Sequence, residues 1–301
     1  MSKAVPANAG PAVVVAADWE LDYYSRPVLE SDGKKRWELL ICSTPAFAAS
    51  DPGFRWVKLC PATSVNSVWL QGALSEALAA AALEGYPPPR RLRCWRASMR
   101  TMVQRAAEAI GLEVIPSRRC YALFDWLHER EQRVYPEEPG YLCGPLAPAP
   151  IPISPPAVLL PESVRGDSWS WASLPMGAIR EAADWEIGFN GLGALPAGLG
   201  DDVSVPGIRL FSVHRALAIA GWMAGLEPVR LRLSGESLVL EASLENSWLL
   251  GKVVEAEAEE AQAAFSASRL EAGGLQFIAV QSSPASERFE GFWLLRDLPE
   301  P

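Results

Sequence analysis

Nine prolines between residues 136 and 161 restrict the architecture of this chain more than any other feature: Pro136, Pro139, Pro145, Pro148, Pro150, Pro152, Pro155, Pro156 and Pro161. Each fixes φ and removes a backbone donor, so regular helix and sheet are denied and extended structure is favoured. The stretch predicts a linker at 136–161 between two units, 13–135 and 162–301. Charge changes sign across it. Residues 1–133 carry 17 Lys and Arg against 14 Asp and Glu, whereas residues 134–301 carry 10 against 22. With 301 residues, 49% hydrophobic and 21% charged, the chain has the apolar content of a folded protein. Its longest apolar run, 77–83, is far shorter than the ~20 residues that cross a bilayer, so no membrane span is expected.

Hydrophobic periodicity supplies the elements. Residues 19–24, 36–42 and 54–60 alternate as three successive strands, and Asp32-Gly33 between the first two is a preferred hairpin turn. Ser67 is the predicted cap of a helix reaching Glu84, closed by Gly85 and by Pro87, Pro88 and Pro89. A fourth strand at 91–96 follows. Met99, Met102, Val103, Ala106, Ala107 and Ile110 then recur at helical spacing, and strands are expected at 113–115 and 120–124. The fold class predicted is α/β in two domains. The first is a mixed sheet of βββαβαβ order, a ribonuclease-H-like candidate with other connectivities left open, and the second is a smaller α/β domain. In that second domain 169–171 and 183–186 show no period and 190–206 reads as a glycine-rich acidic loop. Ser212 is the expected cap of a helix through Met223. Strands are predicted at 229–233, 238–244 and 275–280, a helix at 255–271, and a final strand around Trp293.

Candidate chemistry lies mostly in the first half. Cys42, Cys60, Cys94, Cys120 and Cys143 are widely spaced without a CxxC pair, and only His128 and His214 could join them. Reduced thiols and no metal or other cofactor are expected. The start, 1–12, has neither signal-peptide nor transit-peptide character, so a cytoplasmic address is expected. Arg90, Arg91, Arg93, Arg96, Arg100, Arg105, Arg118 and Arg119 are interleaved with Trp95, Tyr121 and Trp126. Guanidinium planes and rings both stack on bases while the charge follows phosphate, which suits single-stranded RNA; the competing reading is a solvated face. Glu20, Asp22 and Glu38 on neighbouring strands raise a metal-dependent nuclease, or its inactive descendant, as an alternative. The fourth strand ends in Trp95-Arg96-Ala97-Ser98 and offers no further carboxylate. Asp22 pairing with Arg26 is the structural reading of the same acid. A protein-docking assembly factor with an acidic second domain is the other alternative.

Three segments together carry a family resemblance: Trp19-Glu20-Leu21-Asp22-Tyr23-Tyr24-Ser25-Arg26-Pro27 with 34–41; 220–228, around Gly221-Trp222-Met223; and Ala279-Val280-Gln281-Ser282 with Gly291-Phe292-Trp293-Leu294-Leu295. The chain resembles the Tab2-like family of cyanobacteria and chloroplasts. The resemblance implies a non-enzymatic protein that binds A/U-rich leader RNA and promotes translation of photosystem I reaction-centre messages, with a part in photosystem biogenesis. It implies translation machinery or assembly factors as further partners, and importance for Trp293, Leu294 and Leu295. The start of the sequence adds the expectation of a cyanobacterial copy. In this reading Arg26, Lys34, Lys35, Arg36, Arg93, Arg96 and Arg100 hold phosphates, and Tyr24, Trp37 or Trp95 stack on bases.

Overall fold

A computed structural model describes residues 17–47, 53–143, 156–196 and 198–297. The first half is built on β1 (Trp19–Leu29), β2 (Lys35–Ser43) and β3 (Arg55–Cys60), an antiparallel meander. The β1–β2 turn places Gly33 at φ +78, which the Asp-Gly pair supplies without a Cβ penalty. Then come α1 (Ser67–Leu83), β4 (Leu92–Cys94), α2 (Arg100–Glu108), β5 (Val114–Pro116) and α3 (Tyr121–Arg133). The sheet order is β3-β2-β1-β4-β5, with β4 parallel to β1 and β5 parallel to β4.

Alternation divides this sheet into two unlike faces. Trp19, Leu21, Tyr23, Leu39 and Ile41 pack against Leu70, Leu74 and Ala77 of α1 and Val103, Ala106 and Ala107 of α2. Burying each such large side chain contributes about 2 kcal/mol. The opposite face meets α3 through Leu40, Cys42, Leu123, Trp126 and Leu127. Two expectations change here. The cap of α1 is Asn66, whose side chain accepts from Trp69 N at 2.9 Å, and not Ser67, which is the first helical residue. Residues 121–124 open α3 instead of forming a strand, because Leu123, Trp126 and Leu127 must all face the sheet, which helical spacing achieves.

The second half contains β6 (Val158–Leu159), β7 (Ser168–Pro175), α4 (Met176–Arg180), β8 (Ile187–Gly191), β9 (Ser204–Phe211), α5 (Ala216–Ala224), β10 (Pro228–Ser234), β11 (Ser237–Ala242), β12 (Asn246–Lys252), α6 (Ala258–Glu271), β13 (Leu275–Gln281) and β14 (Phe289–Arg296). These make two sheets, β10-β11-β12-β6 and β7-β9-β13-β14-β8. One core lies between them, joining Leu231, Leu238 and Leu240 to Ile278, Val280, Trp293 and Leu295 with Ile219 and Met223 of α5. Another, around Phe277, Phe292 and Leu294, covers the far face of the five-stranded sheet. Residues 169–171, aperiodic in sequence, belong to β7, and 204–206 of the expected loop begin β9. Ser212 caps no helix; its hydroxyl donates to Asp167 at 2.9 Å, and α5 starts four residues later. Of the proline-rich stretch, 144–155 lies outside the described residues. Tyr141 before it bridges Val28, and β6 after it pairs with β12.

Candidate nucleic-acid interface

The even-numbered residues of β1 and β2 face α3, and beside Leu40 and Cys42 this face buries three carboxylates. Glu20, Asp22 and Glu38 are each 1% exposed. Carboxylates survive such burial only when bonded. Asp22 accepts from Arg26 Nη1 at 2.7 Å and from both Nε and Nη2 of Arg96. Glu38 accepts from Arg26 Nε at 3.0 Å, from the Tyr135 hydroxyl at 2.6 Å and from Arg130. Burial acting alone would raise the Asp22 pKa, but Arg26 and Arg96 outweigh it and hold the carboxyl below its usual range. Glu20 is bonded by neutral donors, the Thr44 hydroxyl at 2.9 Å and the Leu123 amide at 2.8 Å. That amide belongs to the first turn of α3, where backbone donors lack helical partners. Burial pushes Glu20 up to about 7.

Asp22 fixes the plane of Arg96, and the rings do the rest. The Arg96 guanidinium sits 4.0 Å from the ring centroids of both Tyr24 and Trp95. Tyr24 meets Trp37 edge-on at 5.7 Å, and Trp95 meets Phe124 at 4.9 Å. A row of Trp37, Tyr24, Arg96, Trp95 and Phe124 therefore crosses from β2 over β1 and the residues after β4 to α3, every member half-buried. Arg100, at the start of α2, is exposed, as are Lys34 in the β1–β2 turn and Lys35 at the start of β2. Lys34 pairs with Asp32, and Arg36 bridges Glu30 and Glu138. Planar surfaces around one immobilised cation, with further cations nearby, are what stacking and phosphate contact require of a single-strand site.

Two expected phosphate ligands are placed elsewhere. Arg26 is 3% exposed between Asp22 and Glu38, and Arg93 is 7% exposed, with Asp18 at 2.7 Å and Glu227 at 2.9 Å. Their charges are spent on buried acids, which removes them from a solvent-facing set. The nuclease alternative loses its motivating geometry for the same reason: Glu20, Asp22 and Glu38 are occupied by protein donors. Among the described residues no group of three His, Cys, Asp or Glu side chains is arranged to hold a metal ion. Trp293, Leu294 and Leu295 are 2%, 2% and 0% exposed in β14, so the tripeptide is core on both sheet faces. A Cβ at Gly291 would collide with the Trp293 ring and Ala220, which is why glycine stands at this position of β14. Phe124 and the positioning role of Asp22 are absent from the residues singled out by sequence; the four-residue spacing of Asp22 and Arg26 hinted only at the second.

The two halves meet through arginine. Arg91 and Arg93 bind Glu227, Arg118 binds Glu241, and Arg119 donates to the carbonyls of Pro228 and Gly191, at 2.7 and 3.0 Å, and to that of Leu294. Among the described residues no helix is long and apolar enough to cross a membrane.

Residues 18–130 match the family described as RNA-binding protein Tab2/Atab2 N terminal, and residues 147–296 match its C-terminal domain. A chloroplastic TAB2 homolog of Zea mays is 36% identical over 299 residues, covering 94% of this chain and 72% of its own length. The Arabidopsis thaliana chloroplastic TAB2 homolog is 32% identical over 298 residues, covering 94% and 75%. No solved structure matches the chain, so the ribonuclease-H-like expectation has no structural relative to test it. With both halves matched in order and relatives at this identity aligned along nearly the whole sequence, the chain belongs to the Tab2-like family of RNA-binding proteins.

Proposed function

We propose that this chain binds single-stranded, A/U-rich RNA across the Trp37–Phe124 row and so activates translation of photosystem I reaction-centre messages during photosystem biogenesis. It acts as a cytoplasmic binding protein, without a catalytic step or cofactor, alongside translation or assembly factors. Membership in an RNA-binding family carries the class of partner, and the Arg96 sandwich supports the place. Tyr24, Trp37 and Trp95 stack on bases; Lys34, Lys35, Arg36, Arg96 and Arg100 meet phosphates.

Filter binding of an A/U-rich 20-mer and its scrambled counterpart across a salt series tests the reading. Trp95→Ala is expected to weaken binding about tenfold, since a base stacked on an aromatic side chain contributes about 1–3 kcal/mol. Arg100→Gln is expected to lower the salt slope by about 1. Binding that is flat with salt, or unmoved by both changes in protein of unaltered melting temperature, rejects this site. A leader–reporter message translated with and without the protein tests the translational role.

A further inference from the structure

Away from that row, a cleft of about 460 Å³ opens between α6 and the β10–β11 turn. Arg232, Ser234 and Gly235 line it from the hairpin, and Gln262, Ser266 and Arg269 from the helix. Among the described residues three guanidiniums, those of Arg230, Arg232 and Arg269, pair with two carboxylates here, Glu241 and Asp297. Glu241 is 2% exposed. Burial would raise its pKa, but Arg230 and Arg118 outweigh that and hold it at about 2, so it stays a permanent anion beneath the arginines. Cations outnumber anions at this spot, although residues 134–301 as a whole are strongly acidic. The nearby Glu236 is paired with Lys252 at 3.9 Å.

Donors are also left over. Arg232 reaches Glu241 through Nε, at 2.9 Å, and Arg269 reaches Leu231 O and Asp297 through Nη1. The remaining N–H groups of Arg232 and Arg269, and the side chains of Ser234, Gln262 and Ser266, have no protein partner among the described residues. A Cβ at Gly235 would meet nothing within 4 Å, so the turn backbone is open as well. Two fixed guanidinium forks with hydroxyl and amide donors around one cavity suit a tetrahedral oxyanion, because charge-assisted bonds to several oxygens can form without reorganisation.

We propose that this cleft binds a phosphate group, supplied by the backbone of bound RNA or by a small phosphorylated molecule. The RNA source rests on the function proposed above, whereas the small-molecule source does not. The test titrates the full chain by calorimetry with inorganic phosphate, with uridine monophosphate and with the A/U-rich 20-mer. The variants are Arg232→Ala with Arg269→Gln, Gln262→Glu, and Arg180→Gln as a remote control. Gln262→Glu guards against misfolding, because it places a negative charge on an exposed helix position without breaking an ion pair. An RNA affinity lowered about tenfold by both cleft variants, and unchanged by Arg180→Gln, supports the backbone source. Loss of phosphate or nucleotide binding with RNA affinity intact supports the small molecule. If the wild-type chain binds no RNA, the proposed function fails while the phosphate titrations still decide the cleft. Equal affinities of wild type and both cleft variants for every probe overturn the proposal.

Discussion

Glu20 and Asp22 are two residues apart on one strand and equally buried, yet they respond oppositely to that burial. Two guanidiniums neutralise Asp22, whereas Glu20 has a hydroxyl and a helix-terminal amide. The consequence is a pH dependence of stability with a definite sign. Glu20 sits at about 7 in the folded protein against an ordinary value of 4.5, so the native state binds its proton more tightly than the unfolded chain does. The stabilisation is complete below 4.5 and is lost as pH rises through 7, a difference of about 3 kcal/mol. Glu20→Gln, which keeps an acceptor for Leu123 N, is expected to match wild type near pH 5 and to exceed it by about 2 kcal/mol at pH 8. Urea midpoints at the two pH values check this; the same difference at both would refute it.

At the scale of elements, α1 and α3 show two ways of satisfying a helix start. α1 uses the residue before it, Asn66, so Asn66→Ala is expected to cost about 1 kcal/mol in urea unfolding and to leave RNA affinity unchanged. The start of α3 receives a carboxylate from a distant strand, which no local motif announces. This is why strands β1 to β3 and helices α1 and α2 are legible from alternation, helical spacing and Gly/Pro stops, while 120–124 reads as a strand. Its β-branched-free aromatic sequence fits either conformation, and only the sheet face beneath it decides. β7 and β9 are hidden for a related reason. β9 is buried on both faces between two cores, so the simple alternation of a half-exposed strand is interrupted, whereas β7 is an edge strand without a fully buried residue, defined by its pairing with β9.

Across the whole molecule, Glu227 joins the halves. Its backbone lies at φ +53, a left-handed conformation that disfavours a side chain, and its carboxylate accepts from Arg91, Arg93 and the Ser117 hydroxyl. Removing the carboxylate leaves buried Arg93 with one acid partner among the described residues, Asp18, so Glu227→Ala is expected to destabilise by about 3 kcal/mol. Glu227→Gly, which makes the same deletion but relieves the backbone, is expected to lose about 1 kcal/mol less. Tryptophan fluorescence in urea compares them, and an alanine variant at least as stable as the glycine one contradicts the strain argument.

Sequence by itself determined the α/β class, the first three strands, the helices α1 and α2, and the family, because these rest on residues near one another in the chain or on direct matching of segments. Tertiary structure alone decided which arginines face outward. Arg96 is set by Asp22, 74 residues before it, and Arg93 is withdrawn by Glu227, 134 residues after it. Whether a guanidinium is free for RNA depends on the acid that folding brings to it, and chain order does not encode that distance.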